Sequence, residues 1–216
     1  MISRGWQLFA TVAVLFCSAG LAWGQETPAE PDAVPQRDAL VEYRRGNYGA
    51  AIEITRDEIA QNPARLDAYV VLGWSLMAQD RWREAADAAQ QAVSLRRWDA
   101  RVLHILGESH YRLGNYETAI QRLQEYLAVN PQGSQRSAVY FYLGDALYRV
   151  GEYHHADIAL SSAVEFSPDN PRWWVVLGNA REQAGQTEIA RAAYQRALDL
   201  QPGLSDAQAA LARLAD

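Results

Sequence analysis

Lysine is absent from this chain: all twenty basic residues are arginine, against 26 acidic ones, for a net charge of −6. Without lysine there is no Gly-x-x-x-x-Gly-Lys loop to cradle nucleotide phosphates. The arginine-only usage reads as genome base composition, and the net acidity lacks the basic footprint of a nucleic-acid binder. Cysteine is nearly absent too. Cys17 stands alone, so there is no paired-cysteine metal or redox motif and no disulfide framework. His-Glu-x-x-His and Gly-x-Ser-x-Gly are also missing. His154 and His155 are adjacent and would point roughly 100° apart on a helix, while His104 and His110 lie six apart, on different faces. No nucleophile is paired with a base. The expectation is a protein that is not an enzyme and that uses no metal and no cofactor.

What the chain does have is a beat. Leu-Gly recurs at Leu72-Gly73, Leu106-Gly107, Leu143-Gly144 and Leu177-Gly178, and alanine at Ala51, Ala85, Ala119, Ala156 and Ala190. Both series step by 34 residues, with one step of 37 at the same place. Two columns that share a period and its single fault describe a stacked repeat array. Such an array works by presenting surface instead of housing one deep catalytic pocket.

The columns predict the form of each unit. A turn and an aromatic follow each first segment: Gly46-Asn47-Tyr48, Asp80-Arg81-Trp82, Gly114-Asn115-Tyr116 and Gly151-Glu152-Tyr153, with Gly185-Gln186-Thr187 in the fifth. Glycine just past a helix adopts the left-handed conformation without steric cost, so each unit is a helix, a tight turn and a second helix. Pro63, Pro131, Pro168 and Pro202 close four units; Arg97 stands there in the second, predicting a less rigid exit. The in-register glycines predict a close helix crossing against the alanine column, since glycine inside a helix costs roughly 1 kcal/mol. Tyr69, Leu103, Tyr140 and Trp174, three residues before each leucine, are expected to fill a distributed core.

These residues together resemble the tetratricopeptide repeat family: aromatic-x-x-Leu-Gly-x-x-aromatic, then Gly-x-Tyr-x-x-Ala, then Ala, then Pro. The resemblance implies an all-α, right-handed α-solenoid of antiparallel helix pairs. Its units would be 32–65, 66–99, 100–133, 137–170 and 171–204, in a repeat domain over 34–216 that ends in a capping helix at 205–216. Three departures stand out. The first unit has Asp38-Ala39 for Leu-Gly and Glu58 at a small apolar position, as suits an end cap with a solvated face. Tyr126 replaces the usual alanine in the third unit, and Ser134, Gln135 and Arg136 are inserted at that same junction. Ser205 is the expected N-cap of the last helix.

In this family the first helix of each unit lines an inner groove. Carried over by position, the groove residues are Tyr43 and Arg44; Trp74 and Met77; His104, Glu108, Tyr111 and Arg112; Phe141, Asp145, Tyr148 and Arg149; and Asn179, with Arg101, Arg172 and Glu182 beside them. Tyr-Arg recurs three times in this set, and aromatic faces beside guanidinium groups suit an extended peptide. The competing expectation is ordinary packing. Glu108 precedes Arg112 by four residues and Asp145 precedes Arg149 by four, each a helical pair worth ~0.3–0.5 kcal/mol. The family's clamp for a C-terminal carboxylate needs lysines and asparagines; only Asn179 is present, so that ligand is not expected.

Residues 1–24 carry Arg4 as their sole charge, an apolar run from Leu8 to Ala22, and the small-x-small site Ala22-Trp23-Gly24, the composition of a secretory signal. Cleavage after Gly24 would take the net charge to −7 and remove Cys17. An uncleaved anchor is the alternative, since Trp6–Trp23 is 18 residues without charge. Lipidation at Cys17 is disfavoured by the bulk of Phe16. A Pro- and acid-rich linker follows at 25–33. The expected protein is therefore an exported, periplasmic or cell-envelope scaffold, tethered through 6–23 if the leader stays. It would bind a partner peptide or helix in its groove and no nucleic acid. The alternative is a small-ligand-binding envelope repeat protein associated with a transport system, using the groove around Tyr111, Phe141 and Tyr148 as its pocket.

Overall fold

A computed structural model describes residues 38–215. The chain divides into Met1–Gln36 and Arg37–Asp216, and the described residues belong to the second unit. The leader and linker expected at 1–24 and 25–33 lie outside them.

The described residues form eleven helices. Five pairs run α1 (Ala39–Arg44) with α2 (Tyr48–Gln61), α3 (Leu66–Met77) with α4 (Trp82–Leu95), α5 (Ala100–Arg112) with α6 (Tyr116–Val129), α7 (Arg136–Arg149) with α8 (Tyr153–Phe166), and α9 (Pro171–Gln183) with α10 (Thr187–Leu200). The last helix, α11 (Ser205–Arg213), packs on α10. Inside every pair the turn has one form. The backbone N–H of the residue just before the second helix donates to the carbonyl five residues earlier: Asn47 to Glu42 O, Arg81 to Leu76 O, Asn115 to His110 O, Glu152 to Leu147 O, and Gln186 to Arg181 O, all at 2.8–2.9 Å. That closure requires positive φ at the residue before, which is glycine in four units and Asp80 (φ 57°) in the second.

The exits between units are short. Arg97 takes the proline position in a turn as long as the others, with its guanidinium 4.9 Å over the Trp98 ring. Asp99 then caps α5 by accepting from the backbone N–H groups of Arg101 and Val102. Only the third exit differs, running from Asn130 to Gln135 before α7 begins at Arg136. Two of the three inserted residues lengthen this loop and the third joins the helix. Tyr126 is buried beneath it: its hydroxyl sits where a Cβ on Gly133 would be, and the Asn130 amide donates to it. The bulky tyrosine and the extra residues therefore occupy one another's space.

Two expectations are corrected. The helical glycines do not face the alanine column. A Cβ at Gly107 would lie 2.5 Å from Leu123, at Gly144 2.6 Å from Leu160, and at Gly178 2.4 Å from Tyr194. These partners stand four residues after the alanine, so the glycine admits a large side chain from the second helix. In the second unit that position is Ala89, and Ile105 of the next unit fills the gap, 2.8 Å from a Cβ on Gly73. The second correction concerns α11: its N-cap is Leu204, and Ser205 is the first helical residue and makes no cap bond. Leu204 is drawn into the core with Tyr194, Ala197, Ala207 and Ala210, which sets the boundary one residue earlier.

The core is spread over three clusters: one around α3–α5, one from α5 to α10, and one joining α9, α10 and α11. Tyr69 and Leu103 are buried in it, whereas Tyr140 packs on Phe166 and Trp174 donates its indole N–H to Pro168 O. No unit encloses a core by itself.

Candidate protein-binding groove

The first helices of successive units touch: α1 meets α3, α3 meets α5, α5 meets α7 and α7 meets α9. Successive second helices make no comparable contact. A row whose members are close lies on the inside of a curved stack, so α1, α3, α5, α7 and α9 line the inner face.

The structure divides the expected groove residues into groups. Tyr43, Trp74, Met77, His104 and Glu108 line one hollow of about 640 Å³. Tyr43 and Trp74 form an aromatic wall with ring centroids 5.8 Å apart. Trp82, Tyr126, Asn130, Ser134 and Gln135 complete it, so the inserted loop is one side of this hollow. The His104 ring lies 5.9 Å from Tyr126, and its Nε2 is buried without a hydrogen-bond partner among the described residues, 3.7 Å from Glu108 Oε2. Burial pushes the imidazole's pKa down, against the pull of Glu108.

Tyr111, Phe141, Asp145, Arg149 and Asn179 line a second hollow of about 460 Å³, together with Arg172, Val175, Val176, Leu204 and Asp206. Phe141 stacks on Trp173 at 4.8 Å with planes 9° apart. Arg44 lies in a third hollow with Asp38, Glu58 and Asp67, and Trp74 and Arg101 line both this hollow and the first. Tyr148 lines none of these hollows.

Between the two larger hollows, units three and four are joined by polar bonds. Tyr111 Oη donates to Asp145 Oδ2 at 2.7 Å, and Tyr142 Oη donates to Glu108 Oε1 at 2.7 Å. The expected helical pairs are present at Glu108–Arg112 (3.4 Å) and Asp145–Arg149 (3.3 Å). Arg112 also donates to Tyr142 Oη and lies over the Trp82 and Tyr142 rings. Burial and the adjacent carboxylates raise both phenols, Tyr142 to about 12 and Tyr111 further.

The tyrosine of each recurrent Tyr-Arg makes a packing contact. Each tyrosine lies against the aromatic just past its own turn: Tyr43 on Tyr48 at 5.6 Å, Tyr111 on Tyr116 at 6.1 Å, and Tyr148 on Tyr153 at 5.7 Å. Asn179 is engaged as well, accepting from Tyr194 Oη at 2.8 Å. Trp82, Tyr126, Tyr142 and Trp173 are contributors that positional carry-over missed. Tyr126 and the insertion were visible as a paired departure from the repeat; Tyr142 and Trp173 had no comparable signal.

Helix pairs stacked at a fixed period, with an aromatic- and arginine-lined inner row, define an α-solenoid of the interaction-module type. A tetratricopeptide repeat profile matches residues 76–140, and a second matches 38–101 and 143–205, more than half of the chain. The protein belongs to the tetratricopeptide repeat family.

Among curated proteins it is similar to human protein O-mannosyl-transferase TMTC1, 24% identical over 161 residues, covering 74% of this chain and 18% of that protein. It is similar to the Arabidopsis thaliana protein CTR9 homolog, 24% identical over 88% of this chain and 18% of the relative. Human tetratricopeptide repeat protein 7A is 33% identical over 58% of this chain and 14% of its own length. The chain thus spans less than a fifth of these relatives. Among solved structures, MamA matches with TM-score 0.68 at 22% identity, over 77% of this chain and 95% of that one. YrrB, described as a TPR protein with an unusual peptide-binding site, matches with TM-score 0.71 at 19% identity, over 83% and 91%. At these identities the solved structures speak to the fold.

Proposed function

We propose that this protein is an exported scaffold of the cell envelope that holds a peptide or helix of a partner protein against the inner row of helices. One observation carries the groove reading: the inner row holds two hollows of about 640 and 460 Å³, each walled by aromatics from neighbouring units. Interface energy concentrates in aromatic and arginine anchors, and Trp74 and Phe141 are the anchors these hollows offer. Export rests on the composition of residues 1–24. YrrB's described peptide-binding site supports a groove ligand by analogy of fold.

The test is affinity capture followed by peptide-level crosslinking with the full chain, its Trp74→Ala and Phe141→Ala variants, and Arg83→Ala as an outer-row control. Loss of a captured partner in the inner-row variants alone is expected. Normal capture by both would move the binding surface to the outer row. N-terminal sequencing of the native protein is expected to begin at Gln25; an intact Met1 would replace cleavage with the anchored form.

The hollow of about 640 Å³ also falls in the range of small-molecule sites, which favours the ligand-binding alternative as a second reading. A large thermal shift with one metabolite from a panel would select it.

A further inference from the structure

Ile158 breaks a polar column. It stands two residues after Ala156, the position that Glu53, Asp87, Gln121 and Ala192 hold in the other units. Its side chain is 67% exposed, more than any other large hydrophobic among the described residues. Beside it, on the outer side of units three and four, lies a hollow of about 370 Å³. Gln124 of α6, Tyr140, Leu143 and Leu147 of α7, Glu152, and His155, Ile158 and Ala159 of α8 line it. Successive second helices stand apart, so α7 is the floor between α6 and α8, and its Leu143 and Leu147 are core residues reached from outside.

Around this hollow the outer row loses its charge. The helix α2 exposes Glu53, Arg56 and Asp57, α4 exposes Arg83, Glu84 and Asp87, and α10 exposes Glu188, Arg196 and Asp199. Histidines aside, α6 and α8 expose one charged residue each, Glu117 in the first turn of α6 and Glu165 in the last turn of α8. The two helices hold the same place in successive repeats, so these carboxylates lie at opposite ends of the surface. The other charges on α6 and α8 are half-buried and paired, Arg122 with Glu125 and Asp157 with Arg181. One carboxylate lines the hollow itself, Glu152, whose Oε2 lies 3.2 Å from His155 Nδ1.

An apolar knob beside an apolar hollow is self-complementary, which is what a closed two-fold contact between identical chains requires. Charge decides where such a contact can form. Interface cores are depleted of charged residues, and a chain of net charge −6 repels its own copy where carboxylate-rich rows meet. The stretch between Glu117 and Glu165 is where the outer row can meet itself without opposing carboxylates at the centre. We propose that the outer face of units three and four binds a second copy of this chain, with Ile158 of each copy seated in the other's hollow against Leu143 and Leu147. Glu117 and Glu165 then stand at the rim, where solvent screens them, and Glu152 stays beside its own His155. The pairing uses only the outer row, so it stands or falls apart from the groove reading.

The test is analytical ultracentrifugation of the full chain over a concentration series, with Ile158→Asp, Ile158→Leu, Gln124→Glu and, on α10, the exposed Ile189→Asp as control. Ile158→Asp installs the carboxylate that the second unit carries at Asp87, and Gln124 is exposed, so neither change threatens the fold. The expected result is a monomer–dimer equilibrium. Ile158→Asp should weaken it about thirtyfold or more, the scale of a lost interface anchor, and Gln124→Glu should weaken it too. Ile158→Leu and Ile189→Asp should leave it within about twofold, since the first keeps the apolar knob and the second lies outside the contact. A chain that stays monomeric at millimolar concentration overturns the proposal and leaves the hollow to a different protein. A dimer that ignores Ile158→Asp, or that Ile189→Asp disrupts equally, overturns it as well by placing the contact elsewhere.

Discussion

The hydroxyl of Tyr111 donates to the carboxylate of Asp145 across 2.7 Å, and the two residues are 34 apart in sequence. Asp145 is buried on α7 and Tyr111 belongs to α5, so the bond ties the third unit to the fourth at the junction that carries the insertion. Removing the hydroxyl leaves a buried carboxylate with Arg149 as its remaining partner. Tyr111→Phe is expected to destabilise by about 1–3 kcal/mol. Chemical denaturation measures it; an unchanged midpoint would show the bond to be dispensable.

The same junction is expected to weaken in alkali. Tyr142 is pushed up to about 12 in the fold, against roughly 10 in an unfolded chain. A raised pKa contributes stability that is complete below the unfolded value and is lost as pH rises through the folded one. Thermal midpoints should therefore fall between about pH 10 and 12, and Tyr142→Phe should flatten that slope. Equal slopes in both proteins would contradict it.

Gly144 and Gly203 provide a contrast in space. A Cβ at Gly144 would lie 2.6 Å from Leu160 Cγ and 3.0 Å from the Leu160 backbone nitrogen, while one at Gly203 meets nothing within 4 Å. Overpacking a close crossing costs ~1–3 kcal/mol or more, so Gly144→Leu should unfold well before Gly203→Leu. Gly144→Ala should be better tolerated in a Leu160→Ala background than alone, which a double-mutant cycle in urea would read as coupling.

Asp80 holds φ 57° where the other units have glycine. Asp80→Gly removes the strain of a left-handed aspartate and should raise stability by roughly 1 kcal/mol. Gly114→Ala, at φ 78°, imposes the reverse penalty of similar size. Melting curves of the two variants should move in opposite directions.

Tyr126 and the inserted loop fill one another's space, so their removal should be coupled. Deleting residues 134–136 alone leaves Tyr126 without room for its ring, and Tyr126→Ala alone leaves a cavity of the kind that costs about 3–5 kcal/mol for a large aromatic. The deletion combined with Tyr126→Ala restores the 34-residue step and the usual alanine. It should be more stable than the deletion alone by equilibrium unfolding; additive losses would mean the two features are independent.

The number of units, the place of each turn and the one fault in the period were legible in the sequence because each is a local matter. A left-handed residue closes a helix wherever it stands, and the Leu-Gly and alanine columns mark one face of each helix at every repeat. The sequence by itself thus determined the helix pairs and their stacking order. What only the tertiary structure decided was which side chains meet across them. The glycines receive Leu123, Leu160 and Tyr194 instead of the alanines, and Gly73 receives Ile105 from the next unit, because Ala89 is too small to reach. Tyr148 packs on Tyr153, and Arg44 lines a different hollow from Tyr43, its neighbour in sequence. Such meetings depend on side-chain length and on the offset between neighbouring units, and a 34-residue period records neither.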